Sequence, residues 1–442
     1  MAKYKEYHQS QIMLMPPSLE EKVPEGHLAR YISRVVDELD IREIEEGYSD
    51  LGCRAYHPRM LLKLLIYGYS IGIRSSRRIQ KETREDVVFM WLSGMQEPDF
   101  RTVSDFRKAR IGDIKELFRQ VLETCVRLGM VRCGKISLDG TKIEANSAKY
   151  KLTFRKTLEK RKAKYEEEIE QIMAEAQRVD AEEDDLYGDQ DGYSLPRTYT
   201  AEEIQKALKE VKRDKDKLAR RCEKVKDKLA VIEDKIDRMG TGRNSYGNTD
   251  EDATLMPMKE GSLGVGYNVQ MATENQVILA FGVYQKANDV NLLQPMLEEV
   301  EQNLGTPEAI VADKGYSGQS NYEFTAAKGI RAAIPPYNFE LDQRARRKGT
   351  YQYSKNIAYE KIKMRMLDFL ETPEGKALLD RRKHDIEPTF GDIKYNMGFR
   401  KFLLRSKSKV ITEVGLISMA HNIRKIKSCL EIPVKRAILE PA

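Results

Sequence analysis

Cysteine is scarce in this chain. Five of its 442 residues are Cys (Cys53, Cys125, Cys133, Cys222 and Cys429), and no two of them form a CxxC pair. That excludes a zinc knuckle and a disulfide framework, and it fits a reducing, cytoplasmic setting. Histidine is equally sparse: His8, His27, His57, His384 and His421 share no metal-ligand spacing, so no zinc site is expected. Long apolar runs are missing too. Nothing approaches the roughly 18 consecutive apolar residues of a membrane span, so no membrane association is expected. The opening MAKYKEYHQSQ lacks the apolar centre of a secretory signal.

What the chain does have is charge. Asp, Glu, Lys and Arg make up 33% of it, against 40% hydrophobic residues, and the net charge is only +6. The total decides little, but the distribution says more. Residues 376–436 hold fifteen Lys or Arg against six Asp or Glu, and residues 53–110 hold twelve against six. Two basic stretches flank a mixed-charge middle, a pattern suited to a phosphate backbone, although a solvated surface would give the same counts. The length predicts more than one domain.

Residues 1–130 read as all-helical. A Pro-rich arm precedes a helix containing Leu28, Tyr31, Ile32, Val35, Val36 and Leu39. HPRMLLKLLIYGYSIGI is a second, very apolar helix with Pro58 in its first turn. Further on, Thr102 or Ser104 is placed to cap one helix, and another spans about 114–128. Short helices with tight breaks, and with Arg74, Arg77, Arg78, Arg107 and Lys108 exposed by pattern, suggest a helix-turn-helix-like DNA-binding domain. A plain helical domain with a charged surface fits the same pattern.

The middle of the chain carries heptads. Leu158, Tyr165, Ile169, Ile172, Ala176 and Val179 step by three and four, with Lys162 the polar exception. Ile204, Leu208, Val211, Leu218, Cys222, Val225, Leu229, Ile232, Ile236 and Met239 repeat the pattern, with Lys215 the exception. Such spacing predicts a coiled-coil hairpin over 151–249, joined by an acidic, Gly-containing loop and followed by a linker over GTGRNSYGNTDED. At about 1.5 Å per residue its longer arm reaches about 55 Å.

The candidate chemistry lies on either side of that insertion. In ISLDGTKIEANS, Ile136 and Leu138 form the buried face of a strand, and Asp139 and Thr141 fall on the other. A carboxylate there needs a partner or a metal if it is buried, or serves as an exposed cap if it is not. GVGYNVQMAT and QVILAFGVYQ predict a hairpin turning near Glu274 and Asn275. Asp289 is placed to cap the helix that follows, and PEAIVADKGYSG gives a short buried strand ending at Asp313. A right-handed crossover would lay that strand parallel to the sheet, where it could sit beside the Asp139 strand. Two like charges there call for a divalent cation, and hard oxygen ligands select Mg2+ or Mn2+.

A third carboxylate is sought in RRKHDIEPTFGDIK. Glu387, Phe390, Gly391 and Lys394 share one helical face. Pro388 confines Glu387 to a helix start, and Gly391 leaves room for a close backbone. Asp385 and Asp392 compete for the role, and a surface ion pair from Glu387 to Lys383 or Lys394 is the structural alternative. The polar stretch FELDQRARRKGTYQYSK reads as a loop, and VITEVGLISMAHNIRKIKSCL as an amphipathic helix.

DGTKIEAN, VADKGYSG and IEPTFGDIK, in this order, resemble the signature segments of bacterial DDE insertion-sequence transposases. HPRMLLKLLIYGYSIGIRSSRRI and PDFRTVSDFRK resemble that family's N-terminal part. The resemblance implies an α/β fold: an RNase H-like mixed-sheet catalytic core (131–150 and 250–442) with a helical insertion and a helical N-terminal DNA-binding domain (1–130). It implies Asp139, Asp313 and Glu387 as catalytic, metal-binding residues with two Mg2+ or Mn2+ ions. Its basic pattern around the Glu keeps Lys394, but Lys383 stands at the Arg place and Asp380 at the Tyr place, with Arg381 and Arg382 adjacent. These basic residues are candidate DNA ligands, and Tyr316 is a base-stacking or packing residue. The expected partners are DNA, as terminal inverted repeats and target, and a second copy of the chain on that DNA. The expected reaction is cleavage and joining at element ends. The alternatives are a nuclease or resolvase of the same fold that never joins, and a domesticated DNA-binding protein.

Overall fold

A computed structural model describes residues 18–48, 54–111, 114–148, 151–187, 201–240, 243–258 and 261–431. Residues 1–17, which begin the Pro-rich arm, and Cys53 lie outside the described residues, as do the side chains of Ile204 and Leu208. Of the acidic loop expected over 180–198, residues 180–187 instead continue the Arg155–Tyr187 helix, and 188–198 lie outside the described residues. The chain divides into two compact units: Met1–Asn146 with Met256–Ala442, and Ser147–Leu255.

Eight strands occur among the described residues: β1 (Lys135–Glu144), β2 (Leu152–Phe154), β3 (Ser245–Gly247), β4 (Thr254–Pro257), β5 (Leu263–Glu274), β6 (Val277–Tyr284), β7 (Ala309–Ala312) and β8 (Arg331–Ala333). Six form one mixed sheet in the order β4-β5-β1-β7-β8, with β6 also on β5. β5 and β6 are joined by Asn275 and Gln276, both at positive φ (55° and 64°). A two-residue hairpin requires that conformation, because its twist then matches that of the strands. β1 runs antiparallel to β5 and parallel to β7, and β8 extends the parallel half. Between β6 and β7 the Leu293–Leu304 helix crosses over, burying Leu293, Met296, Leu297 and Val300.

The Lys407–Leu430 helix is not amphipathic in place. It packs on β6 and also on the Ile114–Arg127 and Pro58–Ser70 helices, so its middle is buried from Glu413 to Ile423. Apolar neighbours on several sides override the polar spacing that the sequence suggested. Gly415 lets Ile114 approach, since a Cβ there would sit 2.2 Å from Ile114 Cγ1. Asn422 covers the edge of β6, accepting from Ile278 N (2.9 Å) and donating to Ile278 O (2.8 Å). Glu413, fully buried, accepts from Tyr69 Oη (2.9 Å), Leu403 N (2.8 Å) and Leu404 N (2.9 Å). Those donors offset the cost of burying a carboxylate.

In the second unit, the Arg155–Tyr187 and Ala201–Met239 helices pack against each other. Their ion pairs fix the direction. Lys162 meets Glu233 (2.8 Å), Arg221 meets Glu168 and Glu175 (3.6 Å each), and Lys215 meets Asp180 (2.5 Å). One number rises as the other falls, so the helices are antiparallel. Lys162 and Lys215, the polar exceptions in the heptads, therefore reach across to carboxylates of the opposite helix, which long stems allow. At the base, Leu158, Ile232, Met239 and Tyr246 form a small core with Tyr165 and Ile236. The segment expected as a linker contributes β3, which pairs with β2.

Other expectations give way to local geometry. Asp99, not Thr102 or Ser104, caps the Phe100–Asp105 helix by accepting from Thr102 N (2.6 Å). The basic stretch expected as a loop forms the Phe339–Arg347 helix.

Candidate active site

The place where the β1–β7 ladder ends, in the middle of β1 and at the end of β7, brings the first acids together. Leu138 of β1 pairs in parallel register with Ala312 of β7, so Asp139 and Asp313 each follow the last paired residue of adjacent strands. A single guanidinium spans them: Arg382 Nη2 lies 3.1 Å from Asp139 Oδ2 and Nη1 lies 3.3 Å from Asp313 Oδ1. Arg382 Nε is buried without a hydrogen-bond partner. Asp139 Oδ1 also accepts from Gly140 N, and Asp313 Oδ1 from Lys314 N, both at 2.8 Å. Burial pushes the Asp139 carboxyl up from its ordinary pKa, the Arg382 charge pulls it down, and the Asp313 charge adds to the upward push.

Beneath Asp139 lies a buried polar network. Gly140 is glycine because Gln270 lies against it; a Cβ would sit 2.1 Å from Gln270 Nε2. Gln270 Nε2 donates to Asn268 Oδ1 and Asp289 Oδ1 (2.9 Å each), and its Oε1 accepts from the Tyr316 hydroxyl. Tyr316 is thus a buried packing residue. Burial first, and Asp139 next, hold its phenol well above the usual pKa. Asp289 stands at the N-cap position of the Val290–Leu292 helical turn, but its carboxylate makes no capping hydrogen bond. It accepts from Asn268 Nδ2 (2.5 Å) and pairs with Lys142 (3.4 Å), because the network claims its carboxylate.

The third acid stands on a short helix held at both ends. The Pro373–His384 helix breaks at Asp385, and Ile386–Gly391 begins a new one with Glu387 and Pro388 in its first turn. Asp385 is buried and accepts from Ser137 Oγ (2.8 Å) and Gln276 N (2.6 Å), which ties the break to β1 and the β5–β6 turn. Burial raises its pKa, against the pull of those hydrogen bonds. Asp392, at the other end, meets His421 Nδ1 (2.9 Å) and Arg424 (3.1 Å). The two acids weighed as rivals of Glu387 are therefore the anchors of its helix.

Asp139, Asp313, Glu387, Phe390, Gly391 and Lys394 line one cleft of ≈ 650 Å³. They do not form a ready-made cage. Among the described residues no three His, Cys, Asp or Glu side chains converge on one point, and Arg382 lies against the two aspartates. The donor set nevertheless fits a divalent cation: two adjacent carboxylates, hard oxygen ligands, already grip a positive group. No backbone approaches Gly391; the space where its side chain would be is open.

The candidate DNA ligands divide. Lys394 points into the cleft and donates to Thr141 Oγ1, and Arg382 faces the acids. Lys383 turns outward to Asp380 (3.0 Å), and Arg381 donates to Asn275 Oδ1 (3.0 Å). Arg77, Arg78 and Lys108 are exposed, as expected. Arg107 is buried, contrary to expectation. It donates to Tyr69 Oη (3.1 Å) and Arg74 O (2.8 Å), because a π-helical turn over Phe106–Arg110 alters the facing of the residues. Arg74 is tied to Lys401 O (2.8 Å) and stacks on Phe399. Sequence reasoning missed the Arg382 fork and the Ser137, Gln276 and His421 anchors. A Ser in an otherwise buried strand stretch was the one available signal.

Two family models match the chain. A "Transposase domain (DUF772)" covers residues 17–109, and a "Transposase DDE domain" covers residues 246–423, including Asp313 and Glu387 but not Asp139. No curated protein and no solved structure matches it. The class so defined is a DNA transposase, of a kind whose family works as a metal-dependent DNA endonuclease and transferase. The chain belongs to the DDE transposases of insertion sequences.

Proposed function

We propose that the chain cuts DNA at insertion-element ends and joins the freed ends to target DNA, with Asp139, Asp313 and Glu387 as its metal-binding acids. The observation that carries this reading is the shared grip of Asp139 and Asp313, on adjacent strands just past their last paired residues, on one positive group. Glu387 lines the same cleft. Divalent ions bound there, Mg2+ or Mn2+ and two in number, would supply an acidified water and charge neutralisation at the phosphate.

The chain's own residues do the rest. Gly140 and the Gln270 network hold Asp139 in place, and Asp385 and Asp392 hold the Glu387 helix. Lys394 and Arg382 offer cations to phosphates near the scissile bond, contacts that position rather than specify. No enzyme nucleophile is needed: water opens the phosphodiester, and the freed 3′-hydroxyl then attacks the target.

The strand order, three antiparallel strands followed by two parallel ones, supports an RNase H-like core built from 131–150 and 250–442. The heptads and cross-helix ion pairs support a coiled-coil insertion over 151–249. We read 1–130 as the module that binds terminal repeats, and a dimer on DNA as the working form, since two ends must be joined. Replacing Asp313 by Asn should abolish Mg2+-dependent cleavage of element-end DNA while leaving binding to that DNA intact. Retained cutting would remove Asp313 from the site.

A further inference from the structure

The segment between β8 and the Ile357–Glu371 helix presents an unusual surface. Of the five most exposed large apolar side chains among the described residues, four lie here: Tyr337 (72%), Tyr353 (71%), Ile357 (70%) and Leu341 (64%). Leu341, Arg344 and Lys348 follow helical spacing along the Phe339–Arg347 helix and its C-cap, and Tyr337 is exposed in the turn just before it. Asp342 and Arg346 fasten that helix to its neighbour through Lys363 (2.8 Å) and Asp368 (2.5 Å). Arg344, Arg347 and Lys348 are exposed and, unlike Arg346, have no carboxylate partner among the described residues. The far end of the surface adjoins the segment leaving Asp313, where Asn356 Nδ2 donates to Gln319 Oε1 (2.9 Å).

Large apolar side chains left in water mark interaction sites. A symmetric contact with a second copy would press unpaired cations against each other, which is unfavourable. Cations interleaved with tyrosines suit a nucleic-acid strand, whose phosphates meet the cations and whose bases stack on the rings. We propose that the face over 337–357 is a second DNA contact, holding a strand that runs out of the Asp139–Asp313 cleft. Arg344, Arg347 and Lys348 take phosphates, and Tyr337 and Tyr353 take unpaired bases. The inference rests on the DNA-processing reading above and extends it to a surface outside the cleft.

The test is fluorescence anisotropy on the full chain, using a labelled mixed-sequence oligonucleotide as single strand and as duplex, over a series of salt concentrations. The Arg344→Gln/Arg347→Gln/Lys348→Gln variant should flatten the slope of log affinity against log salt by about 2 on the single strand. The Tyr337→Ala/Tyr353→Ala variant should weaken single-strand binding by at least about fivefold, with duplex binding and the slope unchanged. Both should keep the wild-type Tm, since the substituted groups are exposed; if the triple variant does not, Arg344→Gln alone should flatten the slope by about 0.7.

If the cation variants bind as the wild type does, with the same slope, the proposal fails. It fails equally if the tyrosine variant alters sedimentation mass but not single-strand binding, which would make the face a protein contact. Failure here is distinct from failure of the catalytic reading. Wild type and Asp313→Asn binding both probes equally, with the patch variants matching them, would sink this inference alone. A wild type that binds neither probe would sink both.

Discussion

At the scale of single residues, Arg382 is the side chain with most at stake. Its guanidinium separates two carboxylates that would otherwise repel across the gap between β1 and the end of β7. The Arg382→Gln substitution leaves those charges facing each other. It should lower metal-free stability by about 1–3 kcal/mol, less than the roughly 3–5 kcal/mol of a fully buried broken pair because Asp313 is half exposed. Mg2+ should then raise the Tm of the variant more than that of the wild type, because no guanidinium competes for the two acids. Equal shifts in thermal denaturation with and without Mg2+ would mean that Arg382 and the ion do not share a place. The acids themselves were legible in the sequence, since each aspartate ends a short apolar strand stretch. The fork was not. Periodicity cannot say which of Arg381, Arg382 and Lys383 faces the sheet when the helix breaks two residues later; the buried Asp385 sets that facing by bonding to Ser137 and Gln276.

At the scale of elements, the Glu387 helix depends on Asp392, which ties it to the Lys407–Leu430 helix. Burial alone would raise the Asp392 pKa, but hydrogen bonds from His421 and Asn396 and the Arg424 charge hold it well below the ordinary carboxylate range. A depressed carboxylate stabilises the fold above its unfolded pKa, near 4, and loses that contribution as pH falls toward the folded value. Asp392→Asn should therefore cost about 2 kcal/mol near neutrality. In urea unfolding the gap from wild type should hold down to about pH 5 and narrow as the pH falls further; a constant gap would show that the carboxylate charge is not what matters. Elements with strong local patterns, such as the β5–β6 hairpin and the Pro58–Ser70 helix, could be read directly. The Phe339–Arg347 helix could not, because its run of cations and flanking Gly349 mimic a loop. The ion pairs from Asp342 and Arg346 that hold it are tertiary: Arg346 and Asp368 lie 22 residues apart in the chain, and Asp342 and Lys363 lie on different helices.

At the scale of the whole molecule, the chain interrupts one unit with another. Residues 147–255 separate Asp139 from β5 and the strands that follow, yet β1 still pairs with β5 and β7. The inserted unit has a core of its own, Leu158, Ile232, Met239 and Tyr246, and ion pairs along its two helices. Heptads announced this unit in the sequence; β3 of its small sheet was hidden in a Gly- and Asn-containing stretch that composition assigns to a linker. Two cores built from separate residues should melt separately. Ile232→Ala removes a buried side chain from the smaller core, at a cost of about 2–4 kcal/mol to that unit. Calorimetry should show two transitions, of which only the one assigned to the insertion moves in Ile232→Ala, while only the other responds to Arg382→Gln and to Mg2+. If both substitutions shift a single transition, the two units unfold as one. The interruption of the sheet by the insertion would then be a matter of chain order alone, with no thermodynamic boundary behind it.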